Sequence, residues 1–479
     1  MPVGIGFRLA EPPRQRQNAT ALLYRLDDWH GDDLLRHNPI QSPDRTRVTQ
    51  AEPSPTPKPS DFANLPIRQA ASEVIDIEHS VPLDGEFDIA LGETFTDDAV
   101  RTTYQRQERT ATICHYRLHD VTLDASTMLL IRGRRRIPET RYRVPDAAYA
   151  DMLTKPLYPT EMDPAEHYVI SSRWHNYHHW MIQAVPAIDA SLRRANHRRI
   201  TLVLPPSMLP FQEETLRLLG YQDLPRLILN VTTHYRFASA EFSDFLCGHA
   251  PMMVSRAALA TYRSLSQKAP WLPGAAEEIY VARTDADTRT MENEAELIEL
   301  LQRQGVRIIV PGTLSVSEQI AAFRAARLVI GPHGAGLSNL VFCRVGSFVY
   351  EMLPRHYPNV VFNRVAQAAG LNYAADMFDS SDTGEVQLRK WRVDIALVAA
   401  RLDAIRARIA ATPRVETAME FLRRTHTAEP GDAPPPPEPT PPWVAEPEPP
   451  PPSSEQPAAS AFRRLLFPWR RRKETSADG

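Results

Sequence analysis

Cysteine is scarce in this chain. Cys114, Cys247 and Cys343 are the three thiols in 479 residues, with no C-x-x-C pair and no even set of short spacings. That pattern argues against a disulfide framework and fits a reducing compartment. Long apolar runs are lacking as well: nothing approaches the roughly 18 uninterrupted apolar residues of a membrane span. The start, MPVGIGFRLAEPPRQRQ, has no apolar core of the signal-peptide kind, so a cytoplasmic address is expected. Charge of one sign is missing too. The net charge is -3, which gives no global field to attract nucleic acid.

Proline, by contrast, is abundant at 44 residues, many near the two ends. The stretch QSPDRTRVTQAEPSPTPKPSDF at 41–62 cannot pack a core and reads as linker. The stretch EPGDAPPPPEPTPPWVAEPEPPPPSSEQP after His426 should be extended and polyproline-like. The chain ends in AFRRLLFPWRRRKETSADG, where aromatic and cationic residues of 461–473 interleave. That composition suits peripheral contact with an anionic membrane surface, or is simply a solvated basic tail.

Between the ends, hydrophobic periodicity alternates strand and helix. YVIS, RRITLVLP and PRLILNV read as strands around the helical segments NYHHWMIQAVPAIDASLRRA and PFQEETLRLLG. After the Pro-punctuated joint APWLPGAAEE the alternation resumes with EIYVAR, ENEAELIELLQRQG, VRIIVP, SVSEQIAAFRAA, RLVIG and SFVYEML. This is an α/β pattern, doubly wound in its second half. The expected organisation is a partly disordered N-terminal segment (1–75), an α/β domain (76–270), a Rossmann-like domain (271–426) and a Pro-rich linker with a basic tail (427–479). The late helix near 393–412 is expected to pack back across the joint.

Three clusters bear chemistry. VIGPHGAGLSNLVF at 329–342 places Gly331, His333, Gly334 and Gly336 where a strand ends and a helix begins. A helix start at a sheet edge suits phosphate, and Glu351 lies 17 residues beyond Gly334, near the spacing of a ribose-binding carboxylate. The same glycines also fit a tight turn that needs φ > 0. Arg283 and Arg289 sit on loops past a strand, where two guanidiniums could clamp a diphosphate or simply meet solvent. Asp285 and Asp287 between them spell D-A-D, which invites Mn²⁺ or Mg²⁺. In SRWHNYHHW, His175, His178 and His179 fall on one helical face without the glutamate of H-E-x-x-H. They fit a general base at a cleft mouth, or histidines packed at a domain interface.

Together NYHHWMIQAVP, IYVARTDADTRTMENE, LSVSEQIAAFRAARLVIGPHGAGLSNLVF and FVYEMLP resemble glycosyltransferase family 61, from about Tyr168 to Leu353. That family includes plant β-1,2-xylosyltransferases and the EGF-domain O-GlcNAc transferase. The order and spacing of the four blocks carry the resemblance more than any one block. It implies a GT-B architecture, two Rossmann-like domains facing a cleft, and inverting transfer generally without a metal. It implies a nucleotide sugar, expected to be a UDP-sugar, near Arg283, Arg289, His333, Gly334, Ala335, Gly336 and Asn339, with Glu351 near the nucleoside.

The same resemblance puts His179 at the cleft as base or acceptor positioner, with His178 and Asp189 behind it. A glycan or lipid-linked glycan acceptor in surface or exopolysaccharide synthesis would follow. Two positions depart from the pattern. Gln183 stands where an acidic residue is common, and Ala187 where arginine often follows the proline. Three competing readings are a non-catalytic nucleotide-sugar or glycan binding protein, a metal-dependent hydrolase built on His175, His179 and the D-A-D carboxylates, and a scaffold whose proline-rich and basic tails are the functional parts.

Overall fold

A computed structural model describes residues 64–411, apart from 81–87, 105–111, 134, 141–157, 172–175, 196–198, 245–254 and 271–275. All of these belong to one compact unit, Met1–Arg414. The Pro-rich and basic terminal segments, and His175 and Cys247, lie outside the described residues.

The strands before the joint are β1 (Ala71–Glu78), β2 (Ile89–Leu91), β3 (Ile113–Asp124), β4 (Leu129–Arg132), β5 (Arg135–Ile137), β6 (Thr160–Glu161), β7 (His167–Ile170), β8 (Ile200–Leu204), β9 (Arg226–Ile228) and β10 (His234–Ser243). After it come β11 (Glu278–Val281), β12 (Arg307–Ile309), β13 (Leu328–Pro332), β14 (Phe348–Pro354) and β15 (Asn372–Phe378). The first sheet runs β5-β4-β3-β10-β7-β8-β9, with β1 on β3 and β6 on β10. Its β7, β8 and β9 are parallel, as in a Rossmann-like half, but β1, β3, β4 and β5 extend it by antiparallel pairing. The long β3–β10 ladder is what joins the parallel and antiparallel parts.

The second sheet is parallel throughout, in the order β12-β11-β13-β14-β15-β2. Helices cover both its faces, so its central strands are buried along their whole length and mostly apolar, Glu351 in β14 being the charged exception; every residue of β13 and β14 is buried. Its outer strand, β2, comes from the FDIAL segment, far upstream of the other five. The chain therefore visits the second sheet before it builds β3. The late helix Ile395–Ala411 does not cross the joint as expected. Its Val398, Leu402 and Ile405 pack with Phe348 and Tyr350 under the second sheet.

One hydrophobic cluster joins the two halves. Trp180, Met181 and Val185 of the first belong to the same buried set as Leu340, Phe342 and Phe362 of the second. Polar ties reinforce it. Ser315 and Glu318 form a reciprocal cap on the helix Val316–Ala325. Glu214, from the first half, accepts the N–H groups of Val316 and Ser317 at 2.7 and 3.0 Å, where the helix dipole favours a carboxylate.

Candidate functional site

The second sheet changes direction of winding between β11 and β13, since β12 follows β11 on one side and β13 lies on the other. Connections leave a crevice at the carboxyl ends of strands at such a point. Two of the sequence clusters end there. Arg283 stands just past β11, anchored by its backbone N–H to Glu294 Oε1 (2.8 Å) and by Nη2 to the Thr288 carbonyl (2.8 Å). Gly334 stands just past β13 and begins the 3₁₀ helix Ala335–Phe342.

The glycines have separate jobs. None of Gly331, Gly334 and Gly336 has positive φ, so the tight-turn explanation falls away. A Cβ on Gly336 would lie 2.8 Å from Val281 Cγ1 and 2.9 Å from Pro311 Cγ; one on Gly331 would lie 3.2 Å from Val281 Cβ. These two let the loop press against β11. A Cβ on Gly334 would instead lie 2.0 Å from Arg283 Nη1. The missing side chain is what allows the guanidinium to lie across the helix start.

His333 projects between these groups from a backbone pinned by its N–H to the Met352 carbonyl (2.9 Å). Its ring is buried against Phe362 and Tyr357. Nδ1 shares a 2.6 Å hydrogen bond with Glu351 Oε1. The other carboxyl oxygen accepts from Tyr373 Oη at 2.5 Å. Glu351 is 0% exposed, so it backs His333 and does not face the crevice. Burial pushes its carboxyl up to about 8, with the Tyr373 hydrogen bond opposing. Burial, then Arg289 and Arg283, hold the His333 imidazolium well below its ordinary range. Both shifts favour the uncharged form of each partner.

Arg289 completes the cationic side. Its backbone is left-handed, with φ 50. Its N–H donates to the Gln387 carbonyl (2.8 Å), its Nη1 to Gln387 Oε1, and its own carbonyl accepts from Trp391 Nε1 (2.7 Å). Its guanidinium lies over Tyr357, 4.6 Å from the ring centroid. A strained conformation held by four contacts is the mark of a placed side chain. Gln387 and Tyr357 carried no sequence signal, because they come from loops distant in the chain.

The histidine helix reaches the same loop from the first half. Tyr177 Oη donates to Asn339 Oδ1 (2.7 Å), and Asn339 Nδ2 donates to Gln319 Oε1 (2.8 Å). His178 Nδ1 and Ser338 Oγ share a 2.8 Å hydrogen bond. Asn339 and His178 are therefore buried ties between the two motifs; Asn339 is 0% exposed and does not open onto the crevice.

Past His179 the helix widens into a π turn, Trp180–Ala184, closed by the Val185 N–H on the Trp180 carbonyl. Pro186 accounts for part of this. It has no N–H for the Met181 carbonyl five residues back, and Tyr262 Oη supplies that bond instead at 2.9 Å. The bulge places Gln183 one turn from His179, whose Nδ1–H donates to Gln183 Oε1 at 2.9 Å. In a neutral ring this donation leaves Nε2 as the acceptor nitrogen. Asp189 does not stand behind His179, as expected. It is buried beside Arg193, Tyr221 and Thr261, accepting from the latter two at 2.5 Å each.

Asp285 and Asp287 are exposed, and the Asp285 carboxylate lies over Gly312. No group of three or more His, Cys, Asp or Glu side chains is placed to hold a metal among the described residues. No described helix is long and apolar enough to cross a membrane.

The arrangement presents two guanidiniums, a helix start and an imidazole at one crevice, with a second imidazole on the facing helix. Residues 177–350 match the family model described as Glycosyltransferase 61. The match takes in both arginines and both histidine motifs and stops one residue short of Glu351. No curated protein matches the chain.

Proposed function

From the match of residues 177–350 to the Glycosyltransferase 61 family model, we propose that the chain is a glycosyltransferase of that family that moves a sugar from a nucleotide-sugar donor, a UDP-sugar, to a hydroxyl of a glycan or lipid-linked glycan, with inversion. The observation that carries this reading is the meeting of Arg283, Arg289 and His333 around Gly334 at the β11–β13 crevice. A diphosphate is the common leaving group whose charge such a set matches.

In one displacement the acceptor oxygen forms its bond to the anomeric carbon as the sugar–diphosphate bond breaks. The acceptor proton passes to His179 Nε2, the nitrogen that the Gln183 contact leaves as acceptor. Negative charge grows on the leaving oxygen, and Arg283, Arg289, His333 Nε2 and the start of the 3₁₀ helix meet it. Two guanidiniums supply neutralisation that other transferases take from a divalent cation, so turnover is proposed to survive a chelator.

A screen of UDP-, GDP-, CMP- and dTDP-sugars by thermal shift and by hydrolysis, with and without Mn²⁺, tests the proposal. One donor should stabilise the protein and be turned over in both conditions. Binding without turnover would leave a carbohydrate-binding protein, and strict dependence on Mn²⁺ would remove the arginine clamp. A cytoplasmic enzyme of surface or exopolysaccharide synthesis, held at the membrane by residues 461–473, is the setting proposed. Full-length protein should then co-sediment with anionic vesicles, and a chain ending at residue 426 should not.

A further inference from the structure

A buried acid hydrogen-bonded to a buried base beside two arginines is more than a rigid support. The hydrogen bond joins Glu351 Oε1 to His333 Nδ1 at 2.6 Å. Tyr373 Oη already donates to the second carboxyl oxygen at 2.5 Å, so a carboxylate formed there has a donor waiting. His333 Nε2 has no partner among the described residues, and its ring lies within the field of Arg289 and Arg283. The other groups around the pair are Tyr357 and Phe362 at the ring, and Tyr104, which faces Glu351 from the segment that follows β2. None of these carries a formal charge at neutral pH. Two positive guanidiniums therefore oppose a positive charge on His333, and nothing else in the described structure favours one.

We propose that a bound diphosphate draws the Glu351 proton along this hydrogen bond onto His333, so that the site gains a third cation only when the nucleotide is present. This deepens the donor-site reading above and rests on it. In the free protein the carboxyl O–H donates to Nδ1, and the ring carries its one proton on Nε2. A diphosphate between the arginines cancels the field that keeps the imidazole neutral and adds an attraction of the opposite sign. The proton then crosses from Oε1 to Nδ1. The carboxylate left behind keeps the Tyr373 donor and accepts from the new Nδ1–H. The imidazolium presents Nε2–H to a phosphate oxygen. No proton enters from or leaves to water, and no net charge is created in the core. Glu351 is thus a positioning and charging residue that acts through His333 and does not touch the ligand.

The difference infrared spectrum of the full-length protein at pH 7, with and without uridine diphosphate, tests this, with binding followed in parallel by calorimetry. On binding, a carboxylic-acid C=O band should vanish and a carboxylate band appear, and Glu351→Gln should lack that change while still binding. In His333→Asn, which has no ring nitrogen to take the proton, the acid band should survive nucleotide addition; this second variant serves if Glu351→Gln does not fold. An acid band that persists in the wild-type complex, or a free protein with no such band, overturns the proposal and leaves the donor site intact. Absence of uridine diphosphate binding by the wild type would instead strike the donor reading itself.

Discussion

Gly334→Ala is the sharpest probe of the crevice, because the added methyl meets one side chain and little else. Its Cβ would lie 2.0 Å from Arg283 Nη1, 2.9 Å from Cδ and 3.0 Å from Cζ. Ordinary contact begins near 3.4 Å, so Nη1 must withdraw by about 1.4 Å, and the Nη2 bond to the Thr288 carbonyl goes with it. The backbone does not resist: φ at Gly334 is -179, extended geometry that alanine adopts freely. The substitution also narrows the unfolded ensemble, worth about 0.4–1 kcal/mol toward the fold. Against this stands the displacement of one flexible cation, so net stability should change by less than about 1 kcal/mol.

Activity should respond quite differently. A misplacement of about 1 Å costs about 10²-fold in a positioned site, and loss of one charge-stabilising donor costs about 10²–10³ in kcat. The expected result is a fall of about 10²-fold in kcat with Tm nearly unchanged, measured by donor hydrolysis and thermal unfolding. Arg283→Ala should fall as far, and the double variant no further, since both remove the same placed group. Full activity in Gly334→Ala, or additive losses in the double variant, would refute the assignment of Arg283 to the leaving group. Gly336→Ala serves as the contrast. Its methyl strikes Val281 and Pro311, so it should lose about 1–3 kcal/mol of stability through overpacking.

Arg289→Ala should cut turnover by about 10²-fold with the fold intact; Gln387→Ala, which frees the same side chain, should raise the donor KM with a smaller loss, and equal activity of either variant with wild type in steady-state kinetics would count against the clamp. Gln183→Leu removes the acceptor that holds His179 in its tautomer and should lower kcat by about 10–10² with donor KM unchanged; Gln183→Glu should keep activity and shift the acid limb of the pH–rate profile, and an unshifted profile would remove His179 as the base. The Glu351 carboxyl, raised to about 8 in the fold, holds a proton there that the unfolded chain has already released above its ordinary range near 4.5. The native state binds more protons across that window, so this contribution to stability is lost as pH rises toward 8. His333 opposes that slope near about 6.5, where the unfolded imidazole is still half protonated, and adds none above about 7.5. Thermal melts from pH 6.5 to 8 should therefore fall more steeply for wild type than for Glu351→Gln, and parallel curves would contradict a buried protonated acid.

Much of this site could be read locally. Arg283 and His333 each lie just past an apolar run, and such a position in an open α/β pattern is already a sheet edge. The glycines of the loop announce close approach, but not to what. That Gly336 faces Val281 while Gly334 faces Arg283 depends on two strands more than 45 residues apart lying side by side. Glu351 shows the limit more sharply. Its spacing from the glycines matches a ribose-binding carboxylate, yet the register Gly331–Glu351 turns it beneath the histidine, where Tyr373 of the next strand closes it off. Asp189 escapes a helical count for a related reason: the π turn at Trp180–Ala184 rotates the rest of the helix, so ideal spacing no longer says which residues share the face of His179.

Local chemistry thus determined the parts: apolar runs that must be strands, a proline that cannot donate, a glycine-rich turn, paired arginines and a histidine helix. These come from side-chain type and near-neighbour spacing. Only the tertiary structure decided which parts meet. Strand order brings β11 beside β13, β2 arrives from far upstream, and Tyr177 and His178 close onto Asn339 and Ser338 across the two halves. Whether a carboxyl faces water or a ring is set by that packing. Burial, in turn, sets whether it holds its proton.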